Sequence, residues 1–435
     1  MHIDQLLSLF RQYPSINTDT RKTQPGDLFF GLRGDRFDGN KFAAQALEKG
    51  AARAIIDNPE YLQEGDERYI LVKDSLKTLQ NLARAWRRTF HIPFLGITGT
   101  NGKTTSKELI YSVLSTEKKA YATQGNFNNH IGVPLTLLGI PQDREIAIIE
   151  MGANQPGDIK ELSEIAEPTH GMITNIGRAH LERFLSIDGV QKTKGELYDF
   201  MRERKGTIFL NETDPRVRKV AAGVDSVITF GEPVSDFWFE IQSHQLDSMK
   251  VKILSKKWDE PLVVNAQITG THNAMNILAA AAIGDYFGIS RAGIKAGIEN
   301  YVSTNNRSQI IQRENYKIWM DAYNANPSSM EAAIKNIFET TTGKVALILG
   351  DMFELGKDEV KLHRDLGDFI RQFKPYRLIG IGPLMKEMTN VHSHAEWFNS
   401  IDEALPEIPK LIEGADLVML KASRGMALEK LLERI

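Results

Sequence analysis

Within Gly96-Ile-Thr-Gly99-Thr-Asn-Gly102-Lys103-Thr104-Thr105 the chain places glycines, a lysine and paired threonines between an apolar run, FLGIT, and an amphipathic one, KTTSKELIYSVLSTE. Glycines at a strand-to-helix turn let the backbone approach an anion closely. The turn's N–H groups and the helix N-terminus then face it. Lysine suits the β/γ oxygens of a nucleotide, and a hydroxyl beside it suits Mg²⁺. Thr98, Gly99, Thr100, Asn101, Gly102, Lys103, Thr104 and Thr105 are therefore the candidate phosphate residues. The spacing departs from G-x-x-x-x-G-K-T, because position 97 is Ile. A glycine-rich turn with a chance Gly-Lys-Thr is the alternative.

Three further groups stand out. Glu150 ends the apolar run EIAIIE, and ligands of open α/β sheets collect at the carboxyl ends of strands. It reads either as a Mg²⁺ ligand or as a solvated strand-end acid. His180, in TNIGRAHLERF, follows another strand; a lone histidine there is commonly structural, and hard Mg²⁺ prefers oxygen. Lys194, in QKTKGEL, reads by itself as a solvated helix lysine.

These residues need strands and helices to hold them, and the pattern supplies both. Over 1–88, QPGDLFFGLRGDRFDG carries turn glycines around a strand-like run. KFAAQALEKGAARAIID reads as a helix stopped by Gly50 and then a strand, and Leu76, Leu79, Leu82 and Ala83 mark an outgoing helix. Over 89–304, strands alternate with helices, which predicts a mostly parallel sheet. DFWFEIQSH, MKVKILSKK and PLVVNAQITG read as added antiparallel strands, before the helix HNAMNILAAAAIGDYF. Over 305–435, KIWMDAY, KVALILGDM, YRLIGIG, HAEWF and DLVMLKAS read as strands. SSMEAAIKNIF, HRDLGDFIRQF and ALEKLLERI read as helices, giving a doubly wound, Rossmann-like α/β unit. The expected fold class is α/β in three domains, 1–88, 89–304 and 305–435.

Composition narrows the function. With 435 residues, 42% hydrophobic and 25% charged, the chain is an ordinary globular protein that can bury large cores. The absence of Cys excludes disulfides and thiolate metal sites and fits a cytoplasmic location. A net charge of -3 argues against nucleic-acid binding. No apolar run has membrane-spanning length, and MHIDQLLSLFRQYP lacks the features of a signal peptide, so no membrane association is expected.

TGTNGKTT resembles the phosphate loop of the Mur ligases and of the folylpolyglutamate synthases. GNFNNHIGVP, IEMGANQPGDI, ITNIGRAHLERF, THNAMN, DAYNANPSSM, LILGDMFELG and LKASRGMALE are similar to Mur ligase blocks in the same order. DTRKTQPGDLFFGLRG resembles an N-terminal block of the family, so the likeness runs from about 17 to 430. YNANP is similar to the branch that adds D-alanyl-D-alanine to UDP-MurNAc-tripeptide. Branches adding a single amino acid read more like D-Y-A-H-x-P. The resemblance implies an ADP-forming amide ligase using ATP and two Mg²⁺ ions, acting as a monomer through an acyl phosphate. It implies metal binding by Thr104, Glu150, His180 and a carbamylated Lys194, and catalysis by these with Lys103 and Arg307. It places Asn273, Arg307, Asp321, Tyr323 and Asn324 at the nucleotide. Thr20, Arg21, Asn126, Asn128 and Asn129 fall to the precursor, and Lys421, Ser423 and Arg424 to the dipeptide carboxylate. For that last trio an ordinary strand-end turn is the alternative. The third residue of the precursor peptide stays open between meso-diaminopimelate and L-lysine. Four positions depart from the pattern: Thr20, Leu185, Arg307 directly after Asn306, and Ala422. The rival readings are another ligase of this fold or a non-catalytic nucleotide-binding regulator.

Overall fold

The computed structural model describes residues 2–34, 37–177, 181–303 and 307–435. Three main sheets organise them. The first has four parallel strands in chain order: Ile16–Asn17, Leu28–Phe30, Arg53–Ile56 and Tyr69–Leu71. Gly50, with φ 95°, ends the helix before the third strand, as the sequence predicts.

The second sheet has nine strands. Its centre is Phe94–Thr98, flanked in parallel by Ile146–Glu150 and His170–Ile173. Thr207–Asn211 and Ser226–Phe230 continue it beyond His170–Ile173. The added antiparallel strands belong to this same sheet: Phe237–His244 joins through one parallel pair, Phe230 with Phe237, and then pairs antiparallel with Met249–Ser255. Successive side chains of a strand point to opposite faces. Accordingly Phe94, Ala147 and Ile149 lie in one apolar core, while Leu95, Ile97, Ile146 and Ile148 lie in another. Each such fully buried aliphatic side chain contributes about 1.5–3 kcal/mol. With both faces covered, the loops at the strand ends are what remain to meet a ligand.

The third sheet runs in the order Gln309–Gln312, Lys317–Asp321, Leu417–Lys421, Val345–Gly350, Arg377–Ile381, Glu396–Phe398, all parallel except the first strand. ALEKLLERI is not an α-helix: Leu428–Glu433 is a 3₁₀ turn entered through Ala427 at φ 51°. The buried pair Leu428 and Leu431 are three residues apart, a spacing that a 3₁₀ turn eclipses onto one face.

The helix Ser75–Arg87, N-capped by Asp74, joins the first sheet to the second, and its Leu79, Leu82, Ala83 and Trp86 enter the same core as Phe94. Arg87 completes the joint. It is buried, lies 3.6 Å over the Phe94 ring, and donates from Nε to the Ala166 carbonyl at 2.9 Å and from Nη2 to the Glu167 carbonyl at 2.8 Å. These are orphan carbonyls at the end of the helix Asp158–Ala166. Arg87→Ala leaves buried acceptors unpaired and should lower the urea unfolding free energy by about 2–4 kcal/mol. Arg87→Lys, which lacks the fork, should recover less than half of the loss.

Candidate functional site

The phosphate loop leaves the sheet between two strand ends that hold it. Gly99 has φ 147°, and a Cβ there would overlap Thr174 Oγ1. Gly102, at φ 77°, caps the helix Lys103–Leu114. Thr100 N–H donates to the Asn175 carbonyl at 2.9 Å and Asn101 N–H to Asn175 Oδ1 at 3.0 Å. Thr174 Oγ1 and Asn175 Nδ2 both donate to the Asn101 carbonyl. The residues after the strand His170–Ile173 thus fix the loop, and Asn175 is a site residue that sequence reasoning missed.

Lys103 donates from Nζ to the carbonyls of Gly99 at 2.8 Å and Thr100 at 3.1 Å. It keeps partial exposure to the cavity but is enclosed enough that burial lowers its pKa to about 8. Glu150 opposes that shift and Arg307 adds to it.

Glu150 is 1% exposed, which rules out a solvated strand-end acid. Register pairs it with Ile97, so its carboxylate lies beside the loop. Thr104 Oγ1 donates to its Oε1 at 3.2 Å and Asn128 Nδ2 donates to the same oxygen at 2.7 Å. The other oxygen, Oε2, is buried without a hydrogen-bond partner. A buried, half-satisfied carboxylate beside a hydroxyl is costly alone and is the oxygen donor set that Mg²⁺ takes. Among the described residues no cluster of three or more His, Asp or Glu forms a closed metal cage. Mg²⁺ bound mainly through phosphate oxygens does not require one.

Lys194 lies on the helix Ile187–Arg204 and is 3% exposed, so it is not a solvated helix lysine. Burial pushes its pKa well below the ordinary value, and Lys103 pushes the same way, against Asp158 and Glu196. It lies just outside the cavity wall, within electrostatic range of wall residues Lys103 and Asp158. His180 lies outside the described residues.

The cavity has a volume of ≈ 560 Å³. From the sequence candidates it gathers Thr100–Thr105, Asn126, Asn128, Asn129, Glu150, Asn273, Arg307, Asp321, Tyr323, Asn324 and Lys421. Asp158, Glu161, Trp319, Ser328, Ser329, Ala332 and Ala333 are among its other lining residues and were not singled out in the sequence. Ser329, Ala332 and Ala333 share a face of the helix Pro327–Thr340, a small-residue spacing that could have pointed to them. Asn273 Oδ1 accepts from Asn276 Nδ2 at 2.9 Å, and Asn276 Oδ1 accepts from Ser106 at 2.9 Å, tying it to the phosphate helix.

The far wall comes from the third sheet. Asp321 and Lys421 are register partners at neighbouring strand ends, and their side chains form an ion pair. Lys421 is 1% exposed and also donates to the Asn324 carbonyl at 3.2 Å. Arg307 stacks over Tyr323 at 3.7 Å, and its buried Nε has no partner.

Other sequence candidates do not line the cavity, although the Arg424 guanidinium lies 5.8 Å from the ring centre of Tyr323, which does. Thr98 is buried and donates to the Met151 carbonyl at 2.8 Å. Ser423 is buried in a strand-end turn, where it accepts from Phe353 N–H at 2.9 Å. Arg424 is exposed and pairs with Glu429 at 3.2 Å. The trio 421, 423 and 424 therefore does not form one cationic cluster. The methyl of Ala422 packs against Gly350, and its φ is not positive, so the strand-end turn tolerates it. Thr20 is buried, with its carbonyl accepting from Lys49, and Arg21 is exposed and paired with Asp19, whose carboxyl it holds down at about 2. Both lie on the first unit, away from the cavity.

Three family models match the chain: "Mur ligase family, catalytic domain" over 12–87, "Mur ligase middle domain" over 97–284 and "Mur ligase, glutamate ligase domain" over 306–424. A UDP-N-acetylmuramoyl-tripeptide--D-alanyl-D-alanine ligase of Bacillus subtilis is 35% identical over 96% of this chain and 92% of its own. A MurF crystal structure from Acinetobacter baumannii superposes with a TM-score of 0.88 at 30% identity, covering 96% of this chain and 92% of that one. A Thermotoga maritima MurF ligase solved with ADP gives 0.86 at 26% identity, covering 97% and 96%. Matched along nearly its whole length in sequence and in fold, the chain belongs to the Mur ligase family.

Proposed function

We propose that this protein is an ADP-forming amide ligase that joins D-alanyl-D-alanine to UDP-N-acetylmuramoyl-tripeptide, giving the pentapeptide precursor of peptidoglycan. The carrying observation is the nearly full-length similarity to ligases of that name. The cavity's chemistry agrees with it. We divide the chain for this task into 1–88 for the UDP-linked precursor, 89–304 for ATP, and 305–435 closing over both. The reading goes with a cytoplasmic monomer, because both the nucleotide and the nucleotide-linked precursor are cytosolic. No described helix is long and apolar enough to cross a membrane.

A carboxylate is a poor electrophile, and ATP makes it reactive. The precursor's terminal carboxylate attacks the γ-phosphorus and ADP leaves, producing an acyl phosphate. The dipeptide amine then attacks the acyl carbon, phosphate leaves, and the amine proton goes to solvent or phosphate. The protein's share is positioning and charge neutralisation. Lys103 gives up the loop carbonyls it now caps and turns to the β/γ oxygens. Their charge favours its ammonium form, which burial alone disfavours. Arg307, braced on Tyr323, offers its unpaired Nε to the phosphate chain. Asn128 and Thr104 fix one oxygen of Glu150, leaving the other for the cation. Mg²⁺, when bound, neutralises phosphoryl oxygens and polarises the γ-phosphorus. Asn126 and Asn129 sit where they can position the precursor, and Asn273, Asp321 and Asn324 take the nucleoside side. Thr20 and Arg21 would hold the uridine diphosphate end from the first unit. Lys421 acts at the dipeptide through its pairing with Asp321, and Ser423 shapes the turn beside it. Arg424 can swing from Glu429 to the dipeptide carboxylate.

Lys194 is proposed as a carbamate that helps hold a second Mg²⁺ together with His180. The buried, depressed amine supports this reading, because only a neutral amine captures CO₂.

Phosphate release measured with ATP, Mg²⁺, D-Ala-D-Ala and each of the two tripeptide precursors tests the activity and decides the third residue. Turnover with a free amino acid but not the dipeptide would instead favour another ligase of this fold. Lys103→Ala should reduce kcat at least about 10³-fold, as loss of a charge aimed at the transition state does. Lys194→Ala should lose most activity and regain part of it with added short-chain carboxylic acids; no regain would remove the carbamate. Asn128→Ala should weaken Mn²⁺ binding to the nucleotide complex by about 3–10-fold, read by electron paramagnetic resonance, because Glu150 loses an orienting hydrogen bond.

A further inference from the structure

Asn326, in YNANP, reaches from the C-terminal unit to the loop 98–105. It is 4% exposed and N-caps the helix Pro327–Thr340. Its Oδ1 accepts from Ser329 N–H at 3.0 Å, while its own backbone N–H donates to Ser329 Oγ at 3.1 Å. That reciprocal box fixes the side-chain torsions and so aims the remaining amide group. Nδ2 donates to Asn101 Oδ1 at 2.8 Å, 225 residues away in sequence.

The acceptor is equally fixed. Asn101 donates its backbone N–H to Asn175 Oδ1, and its carbonyl accepts from Thr174 Oγ1 and Asn175 Nδ2. Its side-chain oxygen therefore leaves the phosphate loop in one direction, toward the third sheet. The bond connects the end of a central strand to the first turn of a helix, with little slack on either side. The units also meet where Leu246 packs against the core of the third sheet, where Leu181–Phe184 lies against Gly356–Asp358, and through an exposed ion pair of Lys317 with Asp247 at 3.1 Å, but of these contacts only the bond to Asn101 reaches the loop itself.

We propose that Asn326 is a positioning residue that latches the C-terminal unit to the phosphate loop through Asn101. The latch seats Arg307, Tyr323 and the Asp321–Lys421 wall over the nucleotide. Because Asn101 belongs to the loop that surrounds the phosphates, a filled loop and a docked C-terminal unit stabilise each other. This rests on the loop binding a nucleotide, as proposed above, but not on which amine is ligated.

The test is a double-mutant cycle read by ADP and ATP-analogue affinity, with kcat and KM for ATP alongside. Asn326→Ser keeps an N-cap of nearly equal quality and removes the amide that reaches Asn101. Asn101→Ala removes the same hydrogen bond from the other side and keeps the backbone bonds to Asn175. Each should weaken nucleotide affinity about 3–10-fold, the size of one hydrogen bond. Thermal midpoints should stay near that of the unaltered protein. The double variant should be no weaker than the weaker single, because both remove one interaction. Nucleotide affinities like the unaltered protein's, or losses that multiply in the double variant, would overturn the latch. Nucleotide binding by a protein that does not consume D-Ala-D-Ala would sink the ligase reading while leaving this cycle readable.

Discussion

A carboxylate and an ammonium, Glu150 and Lys103, are held at the rim of an apolar sheet with too few partners. Glu150 keeps one buried oxygen unpaired, and Lys103 is enclosed enough to lose part of its hold on a proton. Neither condition is a packing accident. The strands that carry the site are filled on both faces, so their ends cannot move away to relieve it. A polyphosphate with its cation supplies both missing partners at once. A nucleotide with its cation therefore offsets the desolvation cost of these two groups.

The rest of the architecture follows from keeping that pair in place. Thr174 and Asn175 hold the loop from one neighbouring strand, and Glu150 ends the other. Asn273, Asn276 and Ser106 connect the late helix Thr271–Tyr286 to the phosphate helix. Arg87 fastens the first unit to the helix Asp158–Ala166, whose first residue, Asp158, stands in the cavity wall. Thr20 and Arg21, proposed above to hold the precursor's nucleotide end, do not line the cavity. That suits a long precursor whose nucleotide end and peptide end are bound in different places.

Much of this was legible in the residues. Apolar runs bounded by glycines gave the strands Phe94–Thr98, Ile146–Glu150 and Val345–Gly350, because buried parallel strands read as continuous hydrophobic stretches. The phosphate loop was readable because glycine conformation and lysine chemistry are local. Lys194 was not: a lysine on a helix looks solvated until tertiary packing covers it, and only resemblance singled it out. Asn175 was equally silent, since its importance comes from facing Asn101 across two strand ends. The arrangement of Lys421, Ser423 and Arg424 was not legible for the same reason. Adjacency in sequence put three polar groups side by side, but Asp321, Phe353 and Glu429 draw them to three different partners. The final helix failed because a leucine pair at i, i+3 serves a 3₁₀ turn as well as an α-helix.

The two walls of the cavity differ in what they bring to the reaction. The central wall carries its charges in the unpaired state just described. In the C-terminal wall Lys421 is already neutralised by Asp321, while the buried Nε of Arg307 and Nε1 of Trp319 have no hydrogen-bond partner. The central wall therefore offers an ammonium, Lys103, for phosphate oxygens and a half-paired carboxylate, Glu150, for a cation. What the third sheet adds is Arg307 on Tyr323 and the amide of Asn326, groups whose partners exist only once the loop is in register with them. On the proposed reading the central wall holds the phosphates by charge and the third sheet completes the chamber by geometry, and a chamber with both walls in place is what keeps water from the acyl phosphate.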